Sequence, residues 1–389
     1  MDEIKKLKTE NDFKDFYESK YYEVIDNYYD EIKKEHFKEI LKNIGILFIA
    51  IVLFFVLSEV FSLPEKIGYY NLITVIYLVL AVYITITSII EDKKNLVSEV
   101  RKKVMKDMLA FIVSDDANNV VYDQKMQVSK ESFNKAELFN LELKDIRYKG
   151  ANYARFKYNK NTIVFSDIDI YLRIRKNEDK MFRKKKKTIF NGIYVGASFN
   201  KKNTNQLYLI PNNFKDTFLQ SKIMHYIKFK GYNVKLENLE FSKKYKVFCD
   251  DEVQARYILS LSLMEKINNL DKVFPTKKYI VFKQGRRFCI CIENSTIEKA
   301  MDNLFGLFRH KRNEYKKLDK LYKYLYDLIN IYNILDLGND LYVKHMQKEK
   351  ALPNTNKATV TKTTNNIQQK VKKEKPIERK LSKEEFLDN

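Results

Sequence analysis

The sequence predicts an α+β protein: an N-terminal two-helix transmembrane hairpin extended by a cytosolic helical stalk, then a mostly antiparallel β-sheet domain with packed helices, then a disordered C-terminal tail. Three observations carry that prediction. Two apolar runs, 44–63 and 69–90, each hold about 20 residues, enough to cross a ~30 Å hydrocarbon core as helix. Apolar residues recur every three or four positions on both sides of the pair, which is the helical period. From about residue 146 the period drops to two, which is the strand period. The expected segments are 1–43 (cytosolic amphipathic helix), 44–90 (hairpin), 91–345 (cytosolic α+β domain) and 346–389 (basic tail).

The first stripe runs through Phe13, Phe16, Tyr17, Tyr21, Val24, Tyr28, Ile32, Phe37 and Leu41, and nothing interrupts it before the first apolar run. That run begins too deep in the chain, and is too long, for the apolar core of a cleavable signal, so it is expected to stay as an anchor. Lys33, Lys34, Lys38 and Lys42 precede the hairpin, and Lys93, Lys94, Arg101, Lys102, Lys103 and Lys106 follow it, whereas its turn holds only Lys66. Positive charge stays on the cytoplasmic side, so both termini are expected there, in a protein of two spans. After the hairpin, Leu96, Val97, Val100, Val104, Met108, Leu109 and Ile112 mark a second stripe. The two stripes are expected to pack together as a stalk.

Strands are predicted at 154–158, 162–175, 188–199, 206–210, 246–249, 278–282 and 287–293. The second alternates cleanly, with Ile168, Ile170, Leu172 and Ile174 on one face and Asp167, Asp169, Tyr171, Arg173 and Arg175 on the other. Helices are predicted at 214–227, 252–268, 296–308 and 314–335. Beyond 345 the chain is too polar to offset the entropy of ordering.

The 389 residues include 9 glycines and 5 prolines and carry a formal net charge of +21, most of it between 91 and 345. Beside a bilayer, each nearby Lys or Arg contributes about 1 kcal/mol of attraction to an anionic leaflet; a solvated Lys-rich coat accounts for the same charge. The densest basic run, Arg183, Lys184, Lys185, Lys186 and Lys187, falls between two strands. It reads first as a hairpin loop and next as a contact for lipid headgroups. It lacks the interleaved aromatics of a nucleic-acid site, so nucleic acid is not an expected partner.

Asp167 and Asp169 form a D-x-D pair whose carboxylates share one strand face, a pattern suited to a divalent cation and a phosphate. Arg173 and Arg175 on that face explain it equally as a charge ladder. Cys289 and Cys291 share a face, with Cys249 on a possible neighbour, and the 4 histidines show no ligand spacing. Buried thiols are the expectation, with no metal and no cofactor. An odd count of 3 cysteines fits a reducing compartment. No phosphate-binding glycine loop, nucleophile elbow or zinc helix motif occurs.

Two stretches carry a resemblance. Phe190, Gly192, Phe199, Asn200 and Lys201 form one motif, and Leu236, Glu237, Phe241, Asp251, Ala255, Arg256, Tyr257 and Leu259 form the other. Together they resemble a bacterial membrane protein family, domain of unknown function 3137, over roughly 95–345. Ser260-Leu261 departs from the Thr-Pro expected at that point. The resemblance implies an N-terminal pair of spans and this architecture, but no activity. Read physically, Asp251 caps a helix, and Arg256 and Tyr257 lie one turn on, in reach of Glu237 or Asp250. With the resemblance, the functional expectation is a membrane-anchored cytosolic interaction or scaffold module in a bacterial inner membrane, with an unidentified protein partner. The alternative is a membrane-tethered enzyme acting on a phosphorylated or lipid-linked substrate, for which Asp167, Asp169, Asp250, Asp251 and Arg256 are the residues to test.

Overall fold

The computed structural model describes residues 6–60, 69–139, 141–142, 145–159, 161–174, 185–212, 231–301 and 311–337. The fold divides into Met1–Asn339 and Asp340–Asn389; the expected tail and the predicted helix at 214–227 lie outside the described residues. Two long helices come first. Helix α1 spans Glu10–Val60. A capping box opens it: the Thr9 side chain accepts from the Asp12 amide, and the Asp12 carboxylate accepts from the Thr9 amide at 2.6 Å. A five-residue π turn, Tyr17–Tyr21, interrupts the α-helical bonding. Helix α2 spans Tyr70–Val113, so the second apolar run and the stripe after it form one element.

The remaining helices are α3 (Lys130–Asn134), α4 (Leu239–Lys244), α5 (Glu252–Ile258), α6 (Leu261–Val273), α7 (Ile297–Ala300) and α8 (Lys311–Ile334). Nine described strands build one antiparallel sheet in the order β1-β2-β3-β4-β9-β8-β5-β7-β6. They are β1 Val121–Asp123, β2 Ile146–Tyr158, β3 Asn161–Ile174, β4 Lys185–Asn203, β5 Leu207–Pro211, β6 Tyr232–Val234, β7 Tyr245–Cys249, β8 Lys278–Lys283 and β9 Gly285–Glu293.

Both faces of the sheet are covered. One core joins Phe156, Phe165, Val195, Phe282 and Ile290 to the lower parts of α1 and α2 and to α6 and α8. The other joins Ile168, Ile170, Phe190, Tyr279, Cys289 and Cys291 to Phe133 and Phe139 from the segment that carries α3. This two-sided burial is why β8 and β9 read as unbroken apolar runs rather than alternating ones. Cys249 belongs to the first core, so the three cysteines do not converge; all are free and buried.

The stalk forms as the two stripes predict, with a shifted seam. Phe13, Tyr17, Tyr21, Ile25 and Tyr29 are buried, as are Val100, Val104, Met108, Leu109 and Ile112. Phe16 stacks on Phe111 at 4.3 Å, and Phe13 stacks on Tyr322 of α8 at 4.1 Å. Tyr28 donates to Asp107 at 3.1 Å. Phe37 and Leu41, expected on the seam, are instead exposed, because the helices leave the body before that point. Higher up, Tyr77 donates to the Ala50 carbonyl at 3.0 Å and stacks on Phe54.

The predicted helix 252–268 is two helices. Ser260 accepts from the Leu263 amide and caps α6, with Leu261 as its first residue. The Thr-Pro that the resemblance leads one to expect would supply the same cap and a first-turn proline. The departure therefore keeps the break by a different residue pair. β4 begins at Lys185, so Lys185, Lys186 and Lys187 are strand residues rather than loop; Arg183 and Lys184 lie outside the described residues.

Phe13→Ala removes a fully buried ring at the join of α1, α2 and α8. It should destabilise the protein by about 3–5 kcal/mol, read as a lowered denaturation midpoint. Phe37→Ala, on the exposed part of the same helix, should move stability by less than about 0.5 kcal/mol.

Candidate functional site at the sheet and helix junction

The D-x-D pair lies on β3 with both side chains on the helix-covered face, but the two carboxylates have different surroundings. Asp167 is buried. Its Oδ1 accepts from the Ile297 amide at 2.8 Å and its Oδ2 from the Glu298 amide at 3.1 Å, the first two amides of α7. The Asn152 side chain donates to Oδ2 at 2.8 Å, and Tyr122 on β1 donates to Asn152 at 2.8 Å. Arg101 of α2 pairs with Glu298 at 3.2 Å. One buried carboxylate thereby fastens the second long helix, three strands and α7.

The backbone prepares this arrangement. The β2–β3 register shifts between Ala151 and Ala154, and Asn152 in that bulge has φ 55, a left-handed conformation that asparagine tolerates. The bulge aims its amide at Asp167. Burial pushes the Asp167 carboxyl up to about 6 from its ordinary 3.8, against the lowering effect of the three donors. The face expected to be a solvated ladder is therefore closed over at Asp167. Farther along, Asp169 behaves as a ladder residue and pairs with Lys186 on β4 at 2.5 Å. Lys186 also lies over the Tyr171 ring, 4.3 Å from its centroid.

The remaining candidates lie elsewhere. Asp251 caps α5, accepting from the Val253 amide at 2.9 Å and the Gln254 amide at 3.1 Å. Arg256 donates to Glu252 at 2.9 Å, to Glu237 at 3.3 Å and to the Lys235 carbonyl at 3.2 Å. Asp250 and Tyr257 are exposed, while Phe241 and Ala255 are in the core and Leu236 packs against it. Four strands separate β3 from β7, so Asp167 and Asp169 share no cluster with Asp250, Asp251 and Arg256. Phe190 fills the second core, and Asn200 lies in β4. A Cβ at Gly192 would strike the Ile292 carbonyl oxygen of β9, so only glycine permits that strand approach.

Among the described residues no group of three or more His, Cys, Asp or Glu is placed to hold a metal ion. Burial pushes the Cys289 and Cys291 thiols upward, toward the inert protonated form. The sequence reading missed Asn152, Tyr122, Glu298 and Arg101. The one local sign of the bulge was the small-residue sequence Gly150-Ala151-Asn152, which interrupts the apolar alternation of β2.

The architecture is thus an antiparallel sheet carried on two helices whose distal parts are apolar. Residues 188–337 match the family described as "Protein of unknown function (DUF3137)", and that stretch, from β4 into α8, is a domain of unknown function. The match is narrower than the likeness read over 95–345. It includes every motif residue of that resemblance and leaves the long helices and β1 to β3 outside. No curated protein matches. Among solved structures, the chain is similar to the crystal structure of the mycobacterial trehalose monomycolate transport factor A, TtfA, at 6% identity. That alignment covers 59% of this chain and 94% of the other at a TM-score of 0.26, which does not establish a common fold.

Two outcomes follow for this junction. Because the folded Asp167 value lies above the unfolded one, its contribution is fully favourable below pH 3.8, declines as pH rises to about 6, and is lost above that. The unfolding free energy of the wild type relative to Asp167→Asn should therefore fall by on the order of 3 kcal/mol between those limits, measured by denaturation at several pH values. Gly192→Ala should cost about 3 kcal/mol, the upper end for an overpacked site, whereas Arg256→Ala, at an exposed site, should leave the stability within about 0.5 kcal/mol of the wild type.

Proposed function

We propose that this chain is a two-span membrane protein whose sheet body is a cytosolic, non-catalytic interaction or scaffold module in a bacterial inner membrane. One observation carries the reading. Helices α1 and α2 each contain an apolar window long enough to cross a bilayer, at mean hydropathy 2.7 and 2.4, and neither window has a buried residue. The lower parts of the same two helices are packed into the sheet core. A soluble body rarely leaves an apolar surface of that extent in water, so the upper part is the membrane-facing one.

At 51 residues, α1 is about 76 Å long, more than twice the hydrocarbon thickness. The excess length is the stalk that holds the sheet below the headgroups. The distribution of Lys around the hairpin supports a cytoplasmic body. Anionic headgroups are the lipid chemistry this basic body would meet, with an unidentified protein as the further partner. The motif residues of the family-matched stretch serve this reading as a corner, with Asp251 capping α5 and Arg256 joining that helix to the segment before α4.

Single-cysteine labelling tests the arrangement, with low background because the native thiols are buried. In intact bacteria expressing the full chain, Lys66→Cys should react with an impermeant maleimide, and Lys125→Cys only after lysis. The reverse pattern would overturn the orientation. Release of the protein by alkaline carbonate would overturn the anchor.

A further inference from the structure

On the sheet face away from the stalk lies a cleft of about 430 Å³, between β3, β4, β8 and β9 and the segment 126–132. That volume is in the range of small-molecule sites, roughly 300–1,000 Å³. Its apolar wall includes Met126, Tyr153, Val164 and Tyr194, and Gln127, Thr162 and Ser198 add hydrogen-bonding groups. Gly196 leaves room for the Tyr194 ring, whose hydroxyl lies 2.9 Å from where a Cβ would sit.

Two cations line the cleft, Lys283 and Arg287, paired directly across β8 and β9. Like charges in that register repel one another. Lys283 is only 8% exposed, and among the described residues its ammonium makes no ion pair or hydrogen bond; it lies 5.8 Å from the centroid of the Tyr194 ring. No Asp or Glu lines the cleft. Lys278, at the other end of the same strand, shows what a satisfied buried lysine looks like here. Its ammonium meets Asp271 at 2.6 Å and the carbonyls of Phe274 and Thr276 at 2.6 and 2.8 Å. The two cations thus line the cleft with no acidic residue beside them, and an anion there would offset their repulsion and engage both.

We propose that this cleft binds a small organic anion, a phosphate or carboxylate joined to an apolar group. The anionic end lies between Lys283 and Arg287, and the apolar end lies against Met126, Tyr153 and Val164. This site stands apart from the anchoring function above and holds whether or not the helices cross a membrane.

The test is calorimetric titration of the full-length protein, in nanodiscs of phosphatidylcholine, with phenyl phosphate, benzoate and the neutral benzamide. At least one anion should saturate a single site about tenfold more tightly than benzamide, and Lys283→Met should lose about that factor. If Lys283→Met does not fold, the exposed Arg287→Gln takes its place and should weaken binding several-fold. Equal binding of benzamide, unchanged affinity in a folded variant, or no saturation by either anion up to about 10 mM would overturn the site. Repeating the titration with phosphatidic acid in the disc identifies the source of the anion. Competition assigns the cleft to a lipid headgroup, and no competition assigns it to a soluble anion.

Discussion

Burial of the lower halves of α1 and α2 against each other and against α8, with α2 also meeting β1, is the contact on which the rest of the structure depends. These helices extend the larger core, which they share with Phe156, Phe165, α6 and α8. The same helices are apolar and exposed along their upper halves. A single pair of elements is thus packed in protein at one end and apolar and exposed at the other, with no break in either helix between the two ends. This explains why the aromatic residues of the first segment precede the apolar run instead of following it.

Asp167 shows how the sheet and helices are held in register as well as in contact. Hydrophobic burial alone is non-directional, and many slides of α7 over β3 would bury similar area. A carboxylate that takes three donors at once permits one of them. That specificity has a cost, visible in the raised affinity of the group for a proton, and the bulge at Asn152 recovers part of it by delivering an amide where a regular strand would deliver none.

Much of this architecture was legible because its signals are local. The two apolar runs, the stripes around them and the strands β2 to β5 and β7 to β9 follow from periodicity within a few residues. β1 and β6 have three residues each, too few to show a period. The break between α5 and α6 carries neither glycine nor proline, so only the serine cap reveals it. Burial of Asp167 was not legible at all, because the amides that engage it lie 130 residues downstream. The cleft cation was hidden for a related reason: local sequence does not distinguish Lys283 from Lys278 at the other end of the strand, yet both are buried and, among the described residues, only Lys278 has an ion pair.

The π turn at Tyr17–Tyr21 bears on how α1 is phased along its length. The buried seam Phe13, Tyr17, Tyr21, Ile25, Tyr29 steps by four residues, and in an uninterrupted α-helix four such steps would carry the side chains about 160° around the axis. One extra residue taken up in an i→i+5 turn returns about 100° of that drift and keeps all five on the side facing α2 and α8. Everything beyond Tyr21, including the apolar upper half, therefore inherits its rotational setting from a five-residue segment near the start of the chain. α1 behaves as a shaft whose angular phase is set at the end held in the body and read out at the far end.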